Sequence, residues 1–299
     1  MENSILFGNG INLPNEESTW DGILKGMASD DSFQNIKSNT LKYEYIMLQK
    51  REFQKVPYLC GGHMLLGGHF NYALRANTEN DILKKQICQT LLNNPPTVLY
   101  DELARLNINN YLTTNYELYL NKAFSRLGYS VEENKDNSRL FMYYYAKKDS
   151  DEAFIFNIHG DVTDRRSLVL GFNQYSKSVV EIENLLEAKN NGKQLKKNWI
   201  DTFLNSNLYI IGFGLSEDEI DIWNILVYRK RMNRNNGNKI NRICFFDVSN
   251  RRNIEKEKIY NGFDIDVEFI EVNNEDWLGA YNEAFQRIGQ EVGYRIINK

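Results

Sequence analysis

Six short apolar runs constrain this chain more than any other feature: SILFG (4–8), NYLTT (110–114), AFIFNI (153–158), LYIIGF (208–213), RICFFD (242–247) and DVEFIEV (266–272). Several are hydrophobic at almost every position, which suits parallel strands covered on both faces. Between them, YELYLNKAFSRLG (116–128), NQYSKSVVEIENLLEAK (173–189), SEDEIDIWNILVYRKRM (216–232) and EDWLGAYNEAFQRIGQEV (275–292) carry helical periodicity. Strands alternating with helices predict an α/β fold, a Rossmann-like parallel sheet flanked by helices. From about 30 to 96 the texture is helical: NTLKYEYIMLQKREF (39–53) and ENDILKKQICQTLL (79–92) precede Pro95 and Pro96. This stretch reads as a helical insertion within one domain spanning 1–299.

Composition narrows the function classes. An apolar fraction of 42% with 25% charged residues supports a real core, and a formal net charge of -4 gives no general attraction to nucleic acid or anionic membranes. The basic run YRKRMNR (228–234) is expected to be a solvated helix end, where cations suit the dipole. Cys60, Cys88 and Cys244 form no CxxC pair, so neither a disulfide framework nor a four-cysteine zinc site is expected. No apolar stretch approaches the roughly 20 residues that span a bilayer, and MENSILFGNGINL lacks a signal-type core. A cytoplasmic protein with no membrane partner is expected.

In an open parallel sheet, ligands bind outside the carboxyl ends of the strands. The exits here carry Gly8-Asn9-Gly10-Ile11-Asn12, Thr114-Asn115-Tyr116-Glu117, His159-Gly160-Asp161, Gly212-Phe213-Gly214-Leu215-Ser216 and Asp247. The GNG turn is either a tight bend needing positive φ or a phosphate cradle. Ser216 followed by Glu219 is a capping-box pattern that would start a helix just after Gly214, with its N-terminus open to phosphate. Asn115 is either a turn residue or a ligand contact. FIFNIHGDV sets one of only three histidines at a strand exit, as a backbone-satisfied side chain or as part of a site.

The ordered set GNGIN (8–12), TTNYE (113–117), IHGDV (158–162) and GFGLSEDE (212–219) resembles the sirtuin-like (silent information regulator-like) NAD-binding domain. The likeness is to its bacterial branch, which includes NAD-degrading effectors of anti-phage systems. The resemblance implies that Gly8 and Gly10 approach the pyrophosphate with Asn12 nearby. Asn115 would hold the ribose or the attacking water, and His159 would be the general base. Gly212, Gly214 and Ser216 would form the second phosphate- and ribose-facing turn, and Asp247 would meet the adenosine ribose. Glu117 stands where the family pattern has an Asp that contacts nicotinamide. The zinc ribbon of the protein-deacylating members is missing from this sequence.

These residues suit hydrolysis of NAD to nicotinamide and ADP-ribose. The pyridinium leaves as neutral nicotinamide and needs no general acid, so the site must supply a positioned water and stabilise an oxocarbenium-like ribose. An imidazole accepts protons near neutral pH, and no GxSxG, HExxH or Walker-type sequence competes for the role. The alternative is a catalytically silent module that senses NAD or ADP-ribose and gates a partner; NAD-dependent protein deacylation is disfavoured. An unregulated NADase would be toxic. The resemblance therefore implies a homo-oligomer or a regulatory protein partner from the same defence system, such as an ATPase or nucleotide-processing enzyme. CGGHMLLGGHF (60–70) matches no zinc spacing and is read as a loop over the site or a close helix contact.

Overall fold

The structure, a computed structural model, describes residues 1–28, 34–53, 82–237 and 239–293. Eight strands form one sheet: β1 (Asn3–Phe7), β2 (Asn110–Thr113), β3 (Ser130–Asn134), β4 (Tyr143–Lys148), β5 (Asp151–Asn157), β6 (Asn207–Ile211), β7 (Ile243–Ser249) and β8 (Ile265–Glu271). Their order is β3-β4-β5-β2-β1-β6-β7-β8. The six strands from β5 to β8 run parallel, and β3–β4 and β4–β5 pair antiparallel. Counted along the chain, the parallel six have the doubly wound order of a dinucleotide-binding fold, which reverses between β1 and β6.

The apolar runs behave as their composition requires. Ile5 and Phe7 of β1 join one core cluster with Tyr111, Ile155, Tyr209 and Phe246, while Leu6 joins another with Leu112, Phe156, Ile210 and Phe245. Successive side chains thus point to opposite faces, and both faces are buried. Helices α4 (Leu99–Arg105), α5 (Tyr119–Arg126) and α10 (Trp277–Glu291) cover the first face. Helices α6 (Phe172–Asn190), α7 (Trp199–Asn205), α8 (Ile220–Asn236) and α9 (Ile254–Gly262) cover the second.

A third cluster unites α1 (Trp20–Lys25), α2 (Asn39–Phe53) and α3 (82–93) with Tyr116, Leu168 and Leu170 beyond the sheet's carboxyl edge. Here α2 and α3 are the described parts of the expected helical insertion; CGGHMLLGGHF lies outside the described residues. Among the described residues no helix is long and apolar enough to cross a membrane.

Two sequence expectations need correction. SVEEN and YYYAKK, not anticipated as strands, form the antiparallel edge β3–β4; only one face of that edge is partly buried, so no continuous apolar run marks it. The run YRKRMNR is not wholly solvated. Arg229 is fully buried, donating to Asn241 Oδ1 (2.5 Å), Asn241 O (2.6 Å) and Phe263 O (3.0 Å), so it ties α8 to two loops.

Candidate functional site

The exits of β1 and β6 meet where the strand order reverses. Gly10 N–H donates to Gly212 O at 2.7 Å, and Gly8 N–H to Ile211 O at 3.3 Å. A Cβ on Gly10 would lie 2.7 Å from Gly212 O and 2.8 Å from Tyr281 Oη; one on Gly8 would lie 2.8 Å from Phe213. The first two glycines are therefore required by the approach of two backbones, not by φ, since Gly8 is extended (φ -131). Gly212, at φ +59, carries the left-handed turn.

Above this junction lies a cleft of about 700 Å³, within the usual range for ligand sites. Gly10, Gly212, Gly214, Ser216, His159 and Asp247 line it, together with Trp20, Tyr43, Tyr116, Tyr175, Phe245 and Lys256. Gly8, Asn12, Asn115 and Glu117 do not line it. Asn12 and Glu117 are buried behind the wall, where Asn12 Nδ2 (3.0 Å) and Tyr100 Oη (2.6 Å) donate to Glu117 Oε1. Asn115, between the cleft residues Thr114 and Tyr116, donates from Nδ2 to Tyr100 Oη at 3.2 Å. Its Oδ1 is buried with no partner among the described residues, an acceptor that a ligand or water could satisfy.

His159 owes its position to the chain just past β5. Ile158 N–H still pairs with Thr113 O (2.9 Å), and Val169 N–H donates to His159 O (2.9 Å). Gly160 then turns with φ +84, where a Cβ would strike Ser167. The ring is 1% exposed and meets Tyr175 edge-on at 5.3 Å. Its Nε2 lies 3.1 Å from Asp221 Oδ2 and 3.7 Å from Glu219 Oε2. Asp221 also accepts from Ser178 Oγ (2.7 Å) and Ile222 N (2.9 Å), and Glu219 accepts from Tyr175 Oη (3.2 Å).

The electrostatics follow from this packing. Burial disfavours the imidazolium, but Asp221 and then Glu219 outweigh it, and the His159 pKa rises above its ordinary value. Burial likewise opposes the Asp221 carboxylate, yet His159 and Ser178 hold its pKa low. Burial pushes Glu219 up to about 7, partly offset by His159. His159, Glu219 and Asp221 offer ligand atoms within 4.8 Å of one another, a set that could hold a metal ion. In this structure the Asp221 oxygens instead face His159, Ser178 and a backbone N–H.

Sequence reasoning did not single out Glu219 or Asp221 as site residues, and Ser216 does not cap α8. The helix starts at Ile220, and the residue before it, Glu219, has φ -79 and ψ 53 with no side-chain cap. Its carboxyl turns inward to Tyr175 instead of back to Ser216. Acidic residues before a helix are ordinarily read as dipole partners, so SEDEID carried no sign of the inward turn.

A family model for the SIR2-like domain matches residues 109–267, which include Asn115, His159, the GFG turn and Asp247. The chain belongs to the SIR2-like domain family. No curated protein matches its sequence significantly. SIR2-like domains use NAD and are in general NAD-dependent enzymes. The cleft fits a dinucleotide in kind: it sits at the topological switch point, with aromatic walls and a glycine junction.

Proposed function

We propose that this SIR2-like protein is an NAD glycohydrolase that releases nicotinamide and ADP-ribose. The observation that carries the reading is His159, set in the cleft wall with Nε2 held by Asp221 at 3.1 Å. In the reaction the ribose–nitrogen bond breaks and its electron pair stays on the nicotinamide nitrogen. Water forms the new bond to C1′, and its proton passes to His159. Asp221 stabilises the imidazolium so formed, as the carboxylate of a catalytic triad does. The unpaired Oδ1 of Asn115 would accept a hydrogen bond from the water or a ribose hydroxyl. Gly10, Gly212 and Gly214 let a pyrophosphate approach the backbone, with Lys256 as a cation in the cleft and Asp247 for the adenosine ribose. Ser216 would reach a ribose hydroxyl; Asn12 and Glu117 would act from behind the wall by fixing Tyr100 beside Asn115.

The activity would serve as an NAD-depleting effector in bacterial anti-phage defence, restrained by self-assembly or by a partner ATPase or nucleotide-processing enzyme. A catalytically silent NAD- or ADP-ribose-sensing module is the second reading; Asn115 lying outside the cleft lining favours it. Chromatographic assay of nicotinamide release from NAD separates the two. Release by the wild type that is lost in His159→Ala and falls at least about a hundredfold in Asn115→Ala supports the enzyme. Calorimetric NAD binding with no release at any protein concentration supports the sensor.

A further inference from the structure

Among the described residues three carboxyl groups line the cleft, and they differ in what they meet. Asp21 pairs with Lys42, and Glu219 meets Tyr175 and His159. The Asp247 side chain has no hydrogen-bond or ion-pair partner among the described residues. It is half-buried, so part of its hydration is lost with no protein donor in exchange.

Sheet register explains the placement. β6 pairs with β7 only as far as Ile211 with Phe246, whereas β7 continues along β8, pairing Asp247 with Phe269 and ending at Ser249. Asp247 is thus the first residue of β7 beyond the end of β6, one strand outward from the Gly212 turn. Tyr281 connects the two places. Its hydroxyl lies within reach of a Cβ built on Gly10 or Gly212, and burial followed by the Asp247 charge raises its pKa. A glycine turn on one strand and a carboxylate at the end of the next is how doubly wound folds hold a pyrophosphate beside ribose hydroxyls. Sites that accept a 2′-phosphate there supply an arginine. Among the described residues no arginine lines this cleft. Arg251 and Arg252 follow β7 but stay out of the lining, and Arg252 is paired with Glu257 at 2.5 Å. The Lys256 ammonium lies over the rings of Phe245 (5.0 Å) and Tyr260 (5.4 Å) and forms no ion pair with Asp247.

We infer that Asp247 makes the cleft selective for NAD over NADP, accepting hydrogen bonds from the adenosine ribose hydroxyls and repelling a 2′-phosphate. The ribose hydroxyls supply the donors its oxygens lack. A phosphate there brings like charge against the carboxylate with no arginine between them. Lys256 is left for the pyrophosphate, which both dinucleotides carry. This rests on the part of the glycohydrolase reading that places NAD in this cleft, and not on hydrolysis itself.

Calorimetry of the full chain with ADP-ribose and ADP-ribose 2′-phosphate, neither of which has nicotinamide to lose, tests the selectivity. The wild type should bind ADP-ribose at least about tenfold more tightly. Asp247→Asn should cut that preference to less than about threefold, chiefly through tighter binding of the 2′-phosphate form, and Asp247→Glu should retain it. Lys256→Ala should weaken both probes alike. Equal affinities in the wild type overturn the proposal, as does the absence of saturable binding by either probe. A preference that Asp247→Asn leaves intact overturns it too. So does a loss in Lys256→Ala confined to the 2′-phosphate form, since that phosphate then sits on Lys256. The nicotinamide assay is read separately: no release with the preference preserved overturns hydrolysis and leaves Asp247 as the selector.

Discussion

His159 and its two carboxylates form a buried titratable cluster in which the pKa values of His159 and Glu219 are raised and that of Asp221 is lowered. Because the His159 pKa is raised, its base form is populated only above the ordinary histidine value near 6.5. If the protein releases nicotinamide from NAD as proposed, kcat/KM should therefore rise with pH through a midpoint above 6.5, and Asp221→Asn should move that midpoint down. Glu219 gives a separate stability prediction. Its folded pKa, about 7, exceeds the unfolded value, so the native state favours the neutral acid. Native stability from this group is thus greatest below the unfolded pKa and falls as pH rises from about 4.5 through 7. Glu219→Gln should change the melting temperature little at pH 5 and raise it at pH 8. The gain there should approach the roughly 3 kcal/mol that such a shift represents. An equal effect at both pH values would refute the assignment.

Turns between elements set the cleft, and their glycines do different work. A methyl on Gly10 meets the carbonyl of Gly212 and the Tyr281 hydroxyl, whereas one on Gly214 meets nothing within 4 Å. Gly10→Ala should cost about 1–3 kcal/mol in urea unfolding because two strand exits must separate. Gly214→Ala should leave stability within about 0.5 kcal/mol and weaken NAD binding if the backbone there approaches phosphate. The start of α8 shows why such turns resist sequence reading. S-x-x-E is a capping box when Ser caps the helix. Here the chain stays non-helical through Glu219, so Glu219 and Asp221 converge on one imidazole.

At the scale of the molecule, the half of the sheet from β6 to β8 is held by more than strand pairing. Arg229 is a buried cation with its donors spent on Asn241 and Phe263, linking α8, the loop before β7 and the loop before β8. Arg229→Ala should destabilise by about 3 kcal/mol or more, because Asn241 and the Phe263 carbonyl lose buried donors. A surface substitution such as Arg231→Ala should fall within about 0.5 kcal/mol in the same denaturant series.

The chain's local patterning determined the parallel strands, most flanking helices and the strand exits. A run buried on both faces must be apolar throughout, and ligands gather where such strands end. His159, Gly10, Gly212, Gly214, Ser216 and Asp247 were legible on that basis and line one cleft. The edge hairpin β3–β4 was not, because a half-exposed edge carries no continuous apolar signal. Nor was the burial of Arg229, the hydrogen bond of Asn115 to Tyr100, or the pairing of His159 with Asp221, 62 residues later in the chain. Those features depend on which distant backbone oxygens and carboxylates a side chain meets. Only tertiary packing decides that: α6 and α8 against the exit of β5 for His159, α8 against the loops before β7 and β8 for Arg229, and Tyr100 of α4 for Asn115.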